Sequence, residues 1–462
     1  MIFASAIFLY WFLPLFLAGY YLAPKRLRSA WITIGSFVFY GWWRPDFVLL
    51  MVASTLLDYT CGSKITAAQA RGENGRAWVT LSCVANLGLL GYFKYANFGV
   101  ETLNAALAAM GYKQVAWTAV VLPVGISFYT FQTMSYTIDV YRKVAPPARN
   151  IVDFASFVSL FPQLVAGPIV RYNTVAEQLV ERTHTLSKFW RGVLYFQAGL
   201  AKKVLIADFV APLANEAFAD AGLGALDAWI GTVAYTFQIY FDFSGYSDMA
   251  IGLGLMLGFA FPINFDQPYH SRSITEFWRR WHISLSTFLR DYLYIPLGGN
   301  RLGPVRTYVN LAATMLLGGL WHGAAWTFIA WGAYQGFWLI VERLSGKSSL
   351  YAWAPKPAQI AITFVLAMFG WVLFRATSMS GALDHMAAML GAAGESERSL
   401  TVLPIHWAAL ALAAVVAWGF PTTQERVHRA SAPWVLALQP IFLLALVQLH
   451  YENDVPFLYF QF

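Results

Sequence analysis

The stretch LAATMLLGGLWHGAAWTFIAWGAYQGFWLI, residues 311–340, decides the fold. Two apolar runs, residues 311–320 and 324–340, flank a single histidine, His322. The hydrocarbon core of a bilayer is about 30 Å thick, and a helix needs about 20 mostly apolar residues to cross it. The stretch therefore predicts membrane-embedded helices that hold His322 well below the membrane surface.

The composition of the whole chain agrees with this interpretation. Of its 462 residues, 58% are hydrophobic and only 12% are charged, whereas a typical soluble domain has about 25% charged residues. The net charge of +7 indicates basic cytoplasmic loops that contact anionic membrane lipid, and we expect no nucleic-acid binding. Two cysteines, Cys61 and Cys83, do not make a disulfide framework or a metal site. We predict no metal and no bound cofactor.

Apolar stretches recur along the chain and predict an all-α polytopic membrane protein. We expect one integral-membrane domain over residues 1–462, with about 10–12 transmembrane helices. Residues 309–320 and 162–168 are too short to cross, which predicts re-entrant or half-depth helices around an interior tunnel. A break is expected near Arg44-Pro45. The other candidate stretches are residues 2–22, 31–57, 77–95, 115–137, 151–170, 189–210, 228–243, 244–261, 326–341, 360–374, 405–420 and 434–449.

Basic residues predict the orientation of the chain. Residues 1–22 lack a basic n-region and a cleavage site, so they read as a retained first span. Lys25, Arg26 and Arg28 follow it at once. Because basic loops tend to stay in the cytoplasm, we expect the N-terminus outside the cytoplasm and the basic segment 266–306 inside it.

The segment 271–291 predicts a helix along the membrane interface. Ser273-Ile-Thr-Glu276 matches a capping box, so a helix should begin there. At about 100° per residue the apolar residues, including two tryptophans, share one face, and we expect the tryptophans at headgroup depth. His282 falls at the edge of this apolar face and should point inward. Three arginines on the opposite face are candidates to contact the donor or lipid headgroups: Arg279, Arg280 and Arg290.

Polar residues inside apolar spans mark candidate sites, because burying them in a bilayer is costly. The richest run lies between Gln238 and Asp248. Asp242 and Asp248 could bind a cation or relay protons, or they could cap a helix break at Ser244-Gly245 through local hydrogen bonds. The sequence leaves both interpretations open.

His322 is the second candidate. A neutral imidazole can take a proton from a hydroxyl group, since its unperturbed pKa of about 6.5 suits that task. Gly319 and Gly323 are expected to leave space for a substrate beside it. The alternative is a buried histidine that only hydrogen-bonds to a neighbouring helix. Five other histidines are expected at solvated or interfacial positions: His184, His385, His406, His428 and His450.

Several long motifs, taken in order, resemble the membrane-bound O-acyltransferase family. The family-wide motifs are residues 277–286, 289–301 and 319–324. Those that look like its bacterial branch, which contains the membrane subunit for alginate O-acetylation, are residues 127–132, 161–168, 240–248 and 457–462. The resemblance runs over nearly the whole chain and is densest over about residues 120–345.

The resemblance implies a set of site residues. His322 matches the intramembrane catalytic histidine, and His282, 40 residues upstream, matches the second family position. Gln335 stands where many relatives have histidine, so this chain departs from the family pattern there, and the glutamine could still hydrogen-bond a substrate. The residues expected to support catalysis or to line the substrate path are Trp321, Asp242, Gln238, Asn310 and Gln335.

The resemblance also implies a reaction in the bacterial inner membrane. An acetyl group would pass from a cytoplasmic thioester, acetyl-CoA as co-substrate, to a hydroxyl of an exported polysaccharide such as alginate. His322 would act as general base, and the His282 ring or the Trp321 indole would stabilise the oxyanion. Periplasmic acetyltransferase partners would complete the transfer.

Two other functions stay open at this stage. One is D-alanyl transfer to teichoic acid, which shares the Trp-His pattern. The other is a transporter or flippase, a class that typically shows internal repeats. No such repeat is visible in the sequence.

Overall fold

The computed structural model describes residues 1–219, 222–346, 349–392, 396, 398–451 and 457–458. Over these residues the chain is helical and contains no β-strand, which confirms the all-α prediction. Short π-helical turns lie at Phe8–Phe12, Lys203–Ala207 and Arg290–Tyr294. The α-helices are α1 Leu13–Leu22, α2 Arg28–Gly41, α3 Asp46–Ala70, α4 Arg76–Ala109, α5 Ile126–Tyr141, α6 Ile151–Ser159, α7 Phe161–Leu164, α8 Tyr172–Val180, α9 Leu186–Lys202, α10 Asp208–Ala217, α11 Ala225–Met256, α12 Ile274–Arg280, α13 Ile283–Leu289, α14 Gly303–His322, α15 Trp326–Leu344, α16 Lys356–Arg375, α17 Met379–Met389, α18 Pro404–Gly419, α19 Thr423–His428 and α20 Ala432–Tyr451.

These helices form two compact units. The first contains Met1–Gly192 and Ala250–Pro262, and the second contains Val193–Met249 and Ile263–Phe462. Among the described residues, α3, α16 and α20 are each long and apolar enough to cross a membrane, and two shorter apolar helices accompany them. This agrees with a polytopic membrane protein, while the number of spans stays a prediction.

In the first unit, local breakers explain where the helices end. The break predicted near Arg44-Pro45 is confirmed, because α2 ends at Gly41 and α3 begins at Asp46. The stretch 115–137 is only half helical, since α5 begins at Ile126. Gly125 before it has a φ of 77°, a left-handed conformation that glycine adopts without steric cost. The region 162–168 contains only the four-residue helix α7, in line with the prediction of short helices there.

In the second unit, the predicted helix break at Ser244-Gly245 is wrong. Helix α11 runs unbroken through this position for 32 residues. Gly245 faces Gly199 of α9, and a Cβ on either residue would lie 2.5–2.7 Å from the carbonyl oxygen of the other. The glycine therefore lets two helix backbones approach closely, as small residues do at helix crossings in membranes.

Helices α14 and α15 form an antiparallel hairpin with His322 at the end of α14. Helix α14 has 20 residues and begins at Gly303, well before the predicted start at residue 309. A Cβ on Gly319 would collide with the Phe328 carbonyl, and one on Gly323 would collide with the Phe328 ring. The expectation that these glycines leave space for a substrate is therefore wrong. They leave space for α15.

Candidate active site

The segment around His282 is bent. Helix α12 begins as the capping box predicts, with the Ser273 hydroxyl accepting a hydrogen bond from the Glu276 amide at 3.0 Å. However, the expected continuous helix over residues 271–291 is wrong. α12 ends at Arg280, and His282 has a φ of 43° before α13 begins. This left-handed conformation is uncommon for a residue with a side chain and marks candidate functional positions.

The apolar face of this segment packs against protein. Trp278 donates to Gln335 Oε1 at 3.1 Å, and the Trp281 ring lies 4.7 Å from that of Trp371. Both tryptophans are buried. They therefore hold α12 against α15 and α16, and their expected depth at the lipid headgroups stays a prediction. Gln335 is part of this packing.

The opposite face carries the three arginines, and only one of them lies free of a local ion pair among the described residues. Arg279 is exposed. Arg280 pairs with Glu276 at 3.0 Å, and Arg290 pairs with Asp291 at 2.6 Å. Arg279 is thus the arginine best placed to meet an anionic group from outside.

Asn264 fixes the position of the bend. Its backbone carbonyl accepts from the Ile283 amide at 3.0 Å, and its Oδ1 accepts from the Ser284 amide at 3.1 Å. The Ser284 hydroxyl donates to the same oxygen at 2.9 Å. Because a backbone N–H can only donate, this contact assigns the oxygen of the Asn264 amide.

That assignment fixes the tautomer of His282. Its Nδ1 lies 3.1 Å from Asn264 Oδ1, and an acceptor oxygen requires a proton on Nδ1. His282 lies at the bend, outside the membrane-spanning helices, and its complete burial lowers its pKa to about 3. The ring is therefore neutral, and Nε2 carries a lone pair. Nε2 has no hydrogen-bond partner among the residues that the structure describes.

The two predicted histidines lie side by side in the second unit. The rings of His282 and His322 are 6.3 Å apart, centroid to centroid. Trp321 lies near both rings, at 6.1 Å from His282 and 5.0 Å from His322. Both histidines are buried. Trp331 and Phe374 contact His322 edge-on, each at 5.1 Å, so aromatic rings enclose the pair.

The surroundings of three other candidate residues, Asn310, Gln238 and Asp242, are different. Asn310 donates to the Gly299 carbonyl at 3.0 Å and so fastens the turn before α14. Gln238 is buried, and its Oε1 has no hydrogen-bond partner among the described residues. Asp242 forms an ion pair with Lys203 at 2.8 Å. The structure therefore brings together His282, His322 and Trp321, and gives Asn310 a structural contact.

The structure contains no helix break for the two aspartates to cap, and a role in relaying protons stays a prediction. Asp242 pairs with Lys203, and Asp248 pairs with Lys202 at 2.7 Å. The cations beside these carboxylates are thus lysine ammonium groups from α9 and the turn after it. The Thr423 hydroxyl also donates to Asp248 at 2.7 Å.

Three residues that help to position the site are not indicated by the sequence patterns described above. Asn264 lies in an irregular loop 18 residues before His282, where no periodic pattern points to it. Glu342 of α15 is buried and accepts from the amides of Ile274 and Thr275 at 2.7 and 2.8 Å, which caps α12. Lys203 lies within an apolar stretch of the sequence, and a charged residue in such a stretch by itself indicates a candidate functional position.

The structure also contradicts the expected position of one other histidine. His385, expected at a solvated position, is buried in α17, where its Nε2 lies 2.9 Å from the Thr232 hydroxyl. Its ring stacks on Phe218 at 4.2 Å. The other four are at least partly exposed, as expected.

The comparison with known proteins agrees with this geometry. Residues 145–383, just over half of the chain, match the model of the membrane-bound O-acyltransferase family, MBOAT. The chain belongs to this family. It is therefore an O-acyltransferase of the membrane, and the enclosed histidine pair lies within the matched residues.

Several relatives of this O-acyltransferase have curated names. It is 47% identical to a probable alginate O-acetylase of Azotobacter vinelandii, over 100% of both chains. It is 53% identical to a probable alginate O-acetylase of Pseudomonas aeruginosa, over 84% of this chain and 75% of that one. A peptidoglycan O-acetyltransferase of Helicobacter pylori is 36% identical over 86% of this chain and 81% of its own.

Proposed function

We propose that this O-acyltransferase acetylates an exported polysaccharide from the bacterial inner membrane, with acetyl-CoA as the cytoplasmic donor. The acceptor we propose is alginate, because the relatives with 47–53% identity are named as probable alginate O-acetylases. Periplasmic acetyltransferase partners would carry the acetyl group to the polymer. D-alanyl transfer is less well supported, since these relatives and the one from Helicobacter are named for acetyl transfer.

The observation that carries this proposal is the enclosed pair of imidazole rings at 6.3 Å. At this separation, with a hydrogen bond of about 2.8 Å to each ring, one sugar unit of the acceptor can contact His322 with one hydroxyl and His282 with another. Aromatic walls around the pair exclude water, and a dry site strengthens hydrogen bonds to a reacting group. His322 would therefore activate the reacting hydroxyl, while His282 orients the substrate that carries it.

In the proposed step, His322 takes the proton of the acceptor hydroxyl as that oxygen attacks the thioester carbonyl. The C–O bond forms, the C–S bond breaks, and the protonated His322 returns its proton to the leaving thiolate. The products are the acetyl ester and the free thiol of CoA. A base in this position supplies roughly 10²–10⁴-fold of the rate.

His282 receives a different role from the one expected. A donor to the oxyanion would need a proton on Nε2, whereas the contact with Asn264 puts the proton of the neutral ring on Nδ1. We therefore assign to His282 Nε2 the acceptance of a hydrogen bond from a second hydroxyl of the acceptor, because the single proton of the reacting hydroxyl goes to His322. The indole N–H of Trp321, which can only donate, is the candidate for the oxyanion.

The test is acetyl transfer by the purified protein, reconstituted with labelled acetyl-CoA. His322→Gln should stay folded and lose roughly 10²-fold or more of CoA thiol release. His385→Gln is the matched control, because it changes another buried histidine that lies among different contacts. It should keep its turnover per folded molecule. A stable His322→Gln protein with parental turnover would contradict the assignment of the base.

A further inference from the structure

Asp242 belongs to one of two parallel lysine–aspartate pairs in the second unit. Lys202 and Lys203 are consecutive in the chain, and they pair with Asp248 and Asp242 of α11 at 2.7 and 2.8 Å. The pair of Lys203 and Asp242 is the more buried, with side chains 5% and 2% exposed. Lys203 also pairs with Asp208. Burial of such charges is costly unless their remaining hydrogen bonds are satisfied.

The two pairs differ in what else they hold. Asp242 Oδ2 accepts a hydrogen bond from the backbone amide of Leu458 at 2.8 Å. Asp248 accepts one from the Thr423 hydroxyl instead. A carboxylate is a strong acceptor for an amide. Among the described residues, the Asp242 pair is therefore the one bonded to Leu458.

Aromatic contacts continue from this anchor to the histidine pair. Phe457 is buried and stacks on Tyr246 at 4.6 Å, and it contacts Phe243 at 6.1 Å. Phe243 in turn meets the His282 ring edge-on at 4.7 Å. A single ring thus separates residue 457 from His282.

We propose that Asp242 is a positioning residue, fixed by Lys203, which holds residues 457–458 as part of the wall of the active site. The wall excludes water from the histidine pair. Without it, water replaces the acceptor hydroxyl: its oxygen attacks the thioester carbonyl, the C–S bond breaks, and acetate and free CoA thiol result. The anchoring of residues 457–458 by Asp242 does not depend on which reaction the site catalyses. The role in excluding water rests on the proposed acyl transfer.

Limited chymotrypsin digestion of the whole purified protein, followed by intact mass, tests the anchoring. Leu458→Pro removes the amide proton and leaves both ion pairs intact, and Leu458→Ala is its control because it keeps that proton. Leu458→Pro should speed the digestion of the C-terminus by roughly 10- to 100-fold relative to Leu458→Ala. Asp242→Ala should do the same relative to Asp248→Ala. Equal digestion of the proline and alanine variants would overturn the anchoring.

The ratio of acetate to acetylated polymer, measured with labelled acetyl-CoA, tests the exclusion of water. Leu458→Pro should raise this ratio relative to Leu458→Ala. An unchanged ratio in a protein whose C-terminus is digested faster would overturn the role of the wall while leaving the anchor. If the parental protein does not turn over acetyl-CoA at all, the proposed function fails, and the digestion result still decides the anchoring.

Discussion

Asn264 offers the sharpest test of the site, because its side chain touches His282 and not the reacting atoms. Asn264→Ala removes the acceptor for His282 Nδ1 and for the Ser284 amide. A buried donor left without a partner costs about 1–3 kcal/mol. The variant leaves the Ser284 amide without its acceptor, and this loss should lower the free energy of unfolding by about 1–3 kcal/mol.

The larger consequence concerns the proton on His282. Without the oxygen of Asn264, the neutral ring can carry its proton on Nε2, and that atom then ceases to be an acceptor. If the lost orientation is worth about 1–3 kcal/mol, turnover should fall roughly 5- to 150-fold. The Michaelis constant for the donor should change little, since the thioester need not contact Asn264.

The assay is release of CoA thiol at saturating donor, with a thermal unfolding profile of each variant. Asn86→Ala is the matched control, because Asn86 is as buried as Asn264 and its side chain also forms buried hydrogen bonds, but it lies in the first unit. It should lose stability without the loss of turnover. In a His282→Ala background, Asn264→Ala should have no further effect on turnover, since the ring that it orients is gone. Full additivity of the two changes would refute the reasoning.

Three further predictions concern packing, charge and topology. Gly332→Ala places a Cβ 2.5 Å from a carbonyl oxygen of α14 and should lower the free energy of unfolding by about 1–3 kcal/mol, measured by thermal unfolding. Its control is Gly336→Ala, which should be tolerated because the nearest atom to its Cβ lies at 3.4 Å. Arg279→Glu should raise the Michaelis constant for the donor without loss of expression, and unchanged kinetics would refute donor contact. Arg280→Glu should also disturb local folding, because Arg280 forms an ion pair with Glu276. A single cysteine at the exposed Arg272 should react with an impermeant reagent only after cells are permeabilised, and labelling of intact cells would contradict the cytoplasmic placement.

The sequence by itself determined the class of the protein and its two central residues. Apolar stretches that recur along a chain with 12% charged residues indicate helices in a membrane, because a helix satisfies its own backbone polar groups within lipid. The start of α12 was also local information, since a capping box involves only neighbouring residues. The motifs around His282 and His322 are also local sequence, and they indicate the family without any tertiary contact.

The tertiary structure decided how these residues are used. The helical pattern placed His282 on a continuous helix, but contacts with Asn264, 18 residues away, bend the chain there and fix the proton on the ring. Gly319 and Gly323 look like open space in the sequence, and α15 fills it. Whether a glycine admits a substrate or a helix depends on what packs against it, and that is a long-range property.

The charged residues show the same division most clearly. The spacing of Asp242 and Asp248 indicated that a cation or a hydrogen-bond donor must lie nearby, because an unpaired carboxylate is costly to bury. It could not indicate that Lys202 and Lys203, some 40 residues earlier, supply the charge. Composition and periodicity act over a few turns of helix, and they determine what each segment needs. The partners that meet those needs come from distant segments, so only the folded chain identifies them.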